Sequence, residues 1–141
     1  MDELKIVARL HDIGKIGINE DILLKVGNLT DDEFEIVKTH AEKGYRIIKA
    51  SNQLDSVAQG VLAHHERWDG KGYPLKLKGE SIPLVSRIVS VADSYDAMTN
   101  NTTYRKPLSK VQAIKELKRC SGKQFDPKIV SVFLEYLAET I

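Results

Sequence analysis

An all-helical fold is what this sequence predicts, and three observations carry the expectation. Apolar residues recur at three- and four-residue spacing in successive stretches. No stretch sustains the apolar–polar alternation of a half-buried strand. The breaks between stretches hold glycine, proline and capping residues at the offsets helices use.

Taken in order, the first helix is expected over residues 2–13. Asp2 and Glu3 suit its positive N-terminal end, and Leu4, Val7, Ala8 and Ile13, with Leu10 beside them, supply its apolar face. Gly14 and Gly17 break it and leave a loop over 11–17. Asn19 or the residue after it can open a short helical turn over 20–24, and 25–29 is loop. Thr30 is a good N-cap, and Glu33 three residues on completes a capping box. The helix expected over 31–49 carries Phe34, Val37, Ala41, Tyr45 and Ile48 on one stripe, with His40 and Gly44 a turn apart.

Residues 52–66 read as the next helix, on Leu54, Val57, Ala58, Val61 and Leu62, running into His64 and His65. A loop rich in glycine and lysine covers 67–80. Pro83 stands near the start of a long apolar helix over 83–98. A polar loop spans 100–107, Ser109 caps a helix to about Lys118, and Gly122 begins a break. Asp126-Pro127 then opens the last helix, which carries Ile129, Val130, Phe133, Leu134 and Leu137. The total is about six helices plus short turns in one domain, without repeat or low-complexity tract.

Composition bounds the function. The chain has 141 residues, 42% hydrophobic and 29% charged, which is ordinary for a soluble globular domain. A net charge of +1 predicts no strong attraction to nucleic acid or to an acidic membrane. The single cysteine, Cys120, allows no internal disulfide and fits a reducing compartment. No signal-peptide pattern and no membrane-length apolar stretch are present, so the cytoplasm is the expected location.

Candidate chemistry centres on four histidines. His11 and Asp12 are adjacent; taken alone, such a pair is more often a surface or capping pair than a ligand pair. Leu10 and Ile13 argue against an open surface, and Gly14 lets backbone approach whatever the pair holds. His40, taken alone, reads as a satisfied or exposed histidine of an amphipathic helix. His64 and His65 are harder to dismiss, because neutral imidazoles at a helix end suit one transition-metal ion or two. Asp93 lies in an otherwise apolar run, where a carboxylate needs a partner: a buried hydrogen bond and a metal are both open. Asp96, a turn on, is a candidate supporting carboxylate. Four histidines with these carboxylates make a nitrogen and oxygen donor set that suits iron, manganese, zinc or nickel rather than calcium. Such a set holds two ions only if one carboxylate bridges. Lys15, Lys71 and Arg105 are positive groups near these residues that could neutralise phosphate.

The ordered motifs are more specific than any pair. They are HDIGKIG at 11–17, HAEKG at 40–44, HHERWDGKGYP at 64–74, IPLVSRIVSVADSYDAMT at 82–99 and GKQFDP at 122–127. Together they resemble the HD-GYP domain, the bacterial branch of the HD phosphohydrolase superfamily that degrades cyclic di-GMP, across nearly the whole of 1–141. The resemblance implies an all-α, HD-domain-like helical bundle with a metal site of two, in some members three, divalent ions, commonly iron or manganese. It implies His11 and Asp12 as signature ligands with Asp12 bridging. His40, His64, His65 and Asp93 are further ligands by the same token, and Lys15 lies near the scissile phosphate. Gly72, Tyr73 and Pro74 would border the substrate pocket and contact diguanylate cyclase partners, with Trp68 to Pro74 as a rim over the metals. The implied reaction is hydrolysis of cyclic di-GMP by a metal-activated water, to linear pGpG and in many members to GMP.

Three departures stand beside the resemblance. The family carries another helix before the His-Asp pair, with a ligand histidine and, in trinuclear members, a glutamate; the residues before His11 include no histidine. The family usually reads aspartate-arginine-proline-tyrosine after the Asp93 helix. Here Thr102 replaces the usual phosphate-binding arginine, and Arg105 keeps a positive charge nearby. Asn19 and Val26 stand where prolines are common. The first departure predicts either a piece of a larger regulator, with an N-terminal regulatory domain, or a short variant with an altered site. The apolar face left open would favour a homodimer. The alternative function is an impaired signalling module that binds protein partners or nucleotide without turnover. A hydrolase of another nucleotide is a third reading, against which the Gly-Tyr-Pro loop argues.

Overall fold

Side-chain caps start most of the helices where the sequence places them. In the computed structural model, which describes residues 2–101 and 106–140, the first helix is Glu3–Leu10 (α1), with the Asp2 carboxylate accepting from the Leu4 amide. A 3-10 turn, Ile13–Gly17, leads to Glu20–Leu23 (α2), capped by Asn19. Asp31–Lys38 (α3) starts from the full Thr30–Glu33 capping box. His40–Lys49 (α4) and Asp55–Leu62 (α5) follow. After a long loop containing the 3-10 turn Gly79–Ser81 come Leu84–Thr99 (α6), Lys110–Cys120 (α7) and Pro127–Glu139 (α8). Ser109 heads α7 with a second capping box, completed by Gln112, and Asp126 with Pro127 heads α8.

The architecture is helical as expected, but three helices end earlier than periodicity suggests. Among the described residues there are eight α-helices rather than about six, no β-strand, and one isolated bridge between Ser121 and Phe125. The helix expected over 31–49 breaks at Thr39, whose hydroxyl donates to the Ile36 carbonyl at 2.6 Å and closes a turn between α3 and α4. The helix expected over 2–13 stops at Leu10, and that expected over 52–66 spans only Asp55–Leu62. A histidine just past each of these ends closes it: His11 Nδ1 meets the Ala8 carbonyl at 2.8 Å, and His64 Nδ1 meets that of Val61 at 2.5 Å. A ring N–H thereby takes up a terminal carbonyl that a further turn of helix would otherwise have served.

Two apolar clusters share α6. One joins Val7 of α1, Ile48 of α4, Val57, Ala58 and Val61 of α5, and Val89 of α6. The other joins Val91 and Met98 of α6 to Ala113 and Leu117 of α7, Phe125, and Val130 of α8. Helix α6 therefore presents different faces to an N-terminal and a C-terminal layer. The Ser86 hydroxyl donates to the Gly60 carbonyl at 2.8 Å, and the Arg87 guanidinium pairs with Asp126 at 2.7 Å. These polar ties fix α6 against α5 on one side and against the start of α8 on the other. No helix among the described residues is long and apolar enough to cross a membrane.

Candidate metal centre

The ends of α1 and α5 and the start of α4 meet at one place, and backbone proximity is what lets them. A Cβ on Gly14 would stand 1.8 Å from the His40 carbonyl oxygen and 2.5 Å from the Gly44 amide nitrogen. Only glycine lets the Ile13–Gly17 turn lie flat on α4, and that contact brings Asp12 to His40. On the other side, a Cβ on Gly72 would stand 2.6 Å from the His65 carbonyl oxygen and 2.4 Å from the Arg67 nitrogen. Gly72 is accordingly buried, and the loop after it folds back over His65.

Asp12, His40, His64 and His65 each offer a donor atom, and these four atoms all lie within 4.8 Å of one another. The His40 Nε2 atom is 3.3 Å from that of His64 and 3.1 Å from that of His65. Asp12 Oδ1 is 3.4 Å from His40 Nε2. Its other oxygen, Oδ2, faces His11 Nε2 at 3.6 Å and accepts from Lys15 Nζ at 2.7 Å. His11 Nε2 is also 3.5 Å from Asp93 Oδ1. The donors thus form two lobes, His40–His64–His65 and His11–Asp93, with one oxygen of Asp12 turned to each.

The chemistry of this set fits divalent metal. His11, His40 and His64 each place Nδ1 against the carbonyl three residues earlier, at 2.8, 2.7 and 2.5 Å. A carbonyl only accepts, so Nδ1 carries the proton and Nε2 is left with its lone pair facing the centre. Lone pairs facing one another call for a cation between them. Burial, the largest influence, pushes His64 down to about 4 and His65 to about 3, and it lowers His40 as well. All three are neutral, ligating imidazoles near pH 7. His11 behaves otherwise, because Asp93 beside it raises its pKa above the ordinary value. Asp93 is held low in turn, first by His11. For Asp12, burial is the largest single influence and acts upward. The Lys15 hydrogen bond, with the charges of Lys15, His11 and His40, outweighs it and holds the carboxyl low.

All six residues expected from the sequence as ligands therefore come together, and Lys15 joins them. Asp93 is less enclosed than its apolar run suggests, with 44% of its side chain exposed. Asp96 stays outside: it is exposed and accepts from the Asn100 amide at 2.6 Å. Tyr73 stacks on His65 with ring centroids 5.0 Å apart, and the Tyr73–Pro74 peptide is cis. Burial, with the Asp12 charge, raises the Tyr73 hydroxyl to about 12. Trp68 is not part of a rim over the metals. Its ring lies near the Arg87 guanidinium, in a small cavity with Ile82, Phe125 and Asp126. Arg105 and Thr102 lie outside the described residues.

Glu66 is a residue that motif reading passed over. It is buried, and its two oxygens accept from the Leu75 amide at 2.6 Å and the Leu77 amide at 3.0 Å. This carboxylate ties down the segment that follows Gly72-Tyr73-Pro74. A charged residue directly after a buried histidine pair was the available signal.

Comparison with known proteins agrees with the geometry. A family model described as HD domain matches residues 1–129. A cyclic di-GMP phosphodiesterase of Thermotoga maritima is 49% identical over 135 residues, which cover 94% of this chain and 37% of that protein. The 3′3′-cGAMP-specific phosphodiesterase 2 of Vibrio cholerae is 40% identical over 142 residues, 99% of this chain and 27% of that protein. The crystal structure of a cyclic GMP-AMP specific phosphodiesterase from V. cholerae superimposes with a TM-score of 0.69 at 26% identity, covering 97% of this chain and 38% of that one. The chain belongs to the HD domain family, in its HD-GYP branch. It spans well under half the length of these relatives.

Proposed function

We propose that this domain hydrolyses the phosphodiester bonds of cyclic di-GMP in a metal-dependent reaction, giving linear pGpG and then GMP. The observation that carries the reading is the arrangement of Asp12. One oxygen faces a three-histidine lobe and the other faces His11 and Lys15, within a family whose similar members are named cyclic-dinucleotide phosphodiesterases.

His40, His64 and His65 would hold one ion and His11 with Asp93 a second, with Asp12 shared between them. The mixed nitrogen and oxygen donors favour iron or manganese, with zinc or nickel as weaker fits. Bound divalent ions supply charge to the phosphodiester oxygens and make a water acidic enough to attack phosphorus. Lys15 keeps Asp12 ionised, and its half-exposed ammonium stands beside the centre to offset phosphate charge. Tyr73 and Pro74 line a groove of about 390 Å³ together with Glu35, Lys38, Thr39, Glu42 and Lys76. This groove would seat one end of the dinucleotide, with Gly72 holding the loop in place and Arg105 assigned to a phosphate contact. The lone cysteine agrees with a cytoplasmic setting, and the Gly-Tyr-Pro loop is the surface we assign to a diguanylate cyclase partner.

Metal analysis of the purified protein and an assay on cyclic di-GMP with manganese or iron(II) test the reading, with 3′3′-cGAMP as the competing substrate. Bound metal and consumption of cyclic di-GMP are the expected results. A metal-loaded protein that consumes neither dinucleotide overturns it.

A further inference from the structure

A second cleft shares a wall with the metal centre, and its far side, formed by Arg67, Ser90, Ser94 and Gln124, has no part in the account above. It has a volume of about 210 Å³ and is lined by His64, His65, Glu66, Arg67, Ser90, Asp93, Ser94 and Gln124. Ligand pockets for drug-sized molecules run to roughly 300–1,000 Å³, so this one suits a single group rather than a dinucleotide.

Its far wall presents hydrogen-bond donors. Ser90 and Ser94 lie one turn apart on α6. The Ser90 and Ser94 hydroxyls and the Gln124 carboxamide belong to half-buried residues that line the cleft. The Arg67 guanidinium is oriented by Asp69, which takes Nε at 3.1 Å and Nη2 at 2.8 Å and leaves Nη1 uncommitted. The Asp69 carboxylate is anchored in turn by the Lys71 amide at 3.1 Å. The two carboxylates on the wall are already engaged. Glu66 accepts from two backbone amides, and Asp93 faces His11. A pre-oriented arginine edge with two hydroxyls and a carboxamide is a set that recognises phosphate oxygens.

We propose that this cleft is the subsite that holds the terminal 5′-phosphate of the linear dinucleotide while its remaining diester occupies the metal centre. The inference rests on the hydrolase reading above. In the first hydrolysis one water is consumed, one P–O3′ bond breaks, and cyclic di-GMP becomes pGpG with a 5′-phosphate. In the second, another water breaks the remaining P–O3′ bond and yields two GMP. For the second step the remaining diester must occupy the metal centre, and the terminal phosphate must move off it. His64, His65 and Asp93 border both spaces, so the cleft lies one group away from the centre. There Arg67, Ser90, Ser94 and Gln124 receive the terminal phosphate, and GpG without that phosphate is a poorer substrate.

The test compares pGpG with GpG on the metal-loaded protein, as the ratio of their KM values. Hydrogen bonds to a charged group are worth enough that pGpG is favoured about tenfold or more in the wild type. Ser94→Ala and Gln124→Ala each reduce that preference several-fold, and Arg67→Lys, which keeps the charge but loses the fork, reduces it as well. Calorimetry on the metal-free protein gives a second readout, in which pGpG binds more tightly than GpG. A wild-type protein that opens cyclic di-GMP but treats pGpG and GpG alike refutes the subsite, as do variants that keep the wild-type ratio. A protein that opens no cyclic dinucleotide, yet binds pGpG in preference to GpG through these residues, refutes the hydrolase reading and leaves the subsite standing.

Discussion

Asp12 is the residue on which the centre turns. Its two oxygens face different partners, so its removal affects both lobes at once. Asp12→Ala is expected to lower turnover of cyclic di-GMP by at least about a hundredfold, the upper end of what loss of a ligand's supporting contact alone costs. It should also reduce the bound metal. Full activity in that variant would sink the assignment. His64 and His65 make a prediction about pH. Burial depresses them to about 4 and about 3 in the folded chain, against ~6.5 for an unfolded histidine. Between those values the unfolded chain binds more protons, so stability of the metal-free protein rises with pH there. That contribution is complete above pH ~6.5 and is lost as the pH falls, down to about 4 for His64 and about 3 for His65, at up to about 1.4 kcal/mol per pH unit for each histidine. Urea titrations of the metal-free protein at a series of pH values measure it, and a His64→Asn variant should show a shallower slope. That these residues would gather in one place was legible from motif order. That three of the rings are anchored through Nδ1 was not, because the carbonyls they meet are exposed only where a helix ends.

At the scale of elements, two close backbone approaches hold the ligand-bearing segments together. Gly14→Ala would drive a methyl group into the His40 carbonyl and the Gly44 amide, neither of which is a side chain that can swing away. Overpacking of this kind costs about 1–3 kcal/mol, and this contact belongs at the upper end. Thermal melts measure the loss, and metal affinity should fall with it, since the same contact sets the Asp12–His40 distance. Glu66→Gln replaces an acceptor of two amides by a group with one oxygen. It should loosen the Leu75–Leu77 segment, raising KM more than it lowers kcat, and faster amide exchange at Leu75 and Leu77 would report the change directly. Helix caps were readable in the sequence from Thr30 with Glu33, Ser109 and Asp126, whereas Asp2 reads as a first-turn acid and proves to be the cap of α1. The early ends of α1 and α5 and the break at Thr39 were not, since apolar spacing continues across them while the hydrogen bonds do not.

Across the whole molecule, α6 is shared by both apolar clusters, and the Arg87–Asp126 pair holds the C-terminal layer to it. Asp126 has only 1% of its side chain exposed. Asp126→Ala leaves the half-buried Arg87 without its carboxylate and removes the α8 cap, so a loss of about 3 kcal/mol, the low end for breaking a buried pair, is expected in denaturant melts. Metal should act in the opposite direction. At a free concentration a hundred times Kd, a ligand that binds only the folded state adds about 2.7 kcal/mol. Manganese should therefore raise Tm, and a chelator should reverse the rise. What the sequence determined by itself was the helical class, the caps at Thr30, Ser109 and Asp126, and which histidines and carboxylates gather, because capping and periodicity act within a few residues and motif order is written along the chain. The tertiary structure alone decided that Asp12 turns one oxygen to each lobe and that Trp68 packs under Arg87 rather than over the metals. It alone opened a second polar cleft behind His64 and His65. Those facts depend on side chains from α1, α4, α5 and α6 meeting in space, and that meeting is set by how closely turn, helix and loop backbone approach one another at Gly14, Gly44 and Gly72.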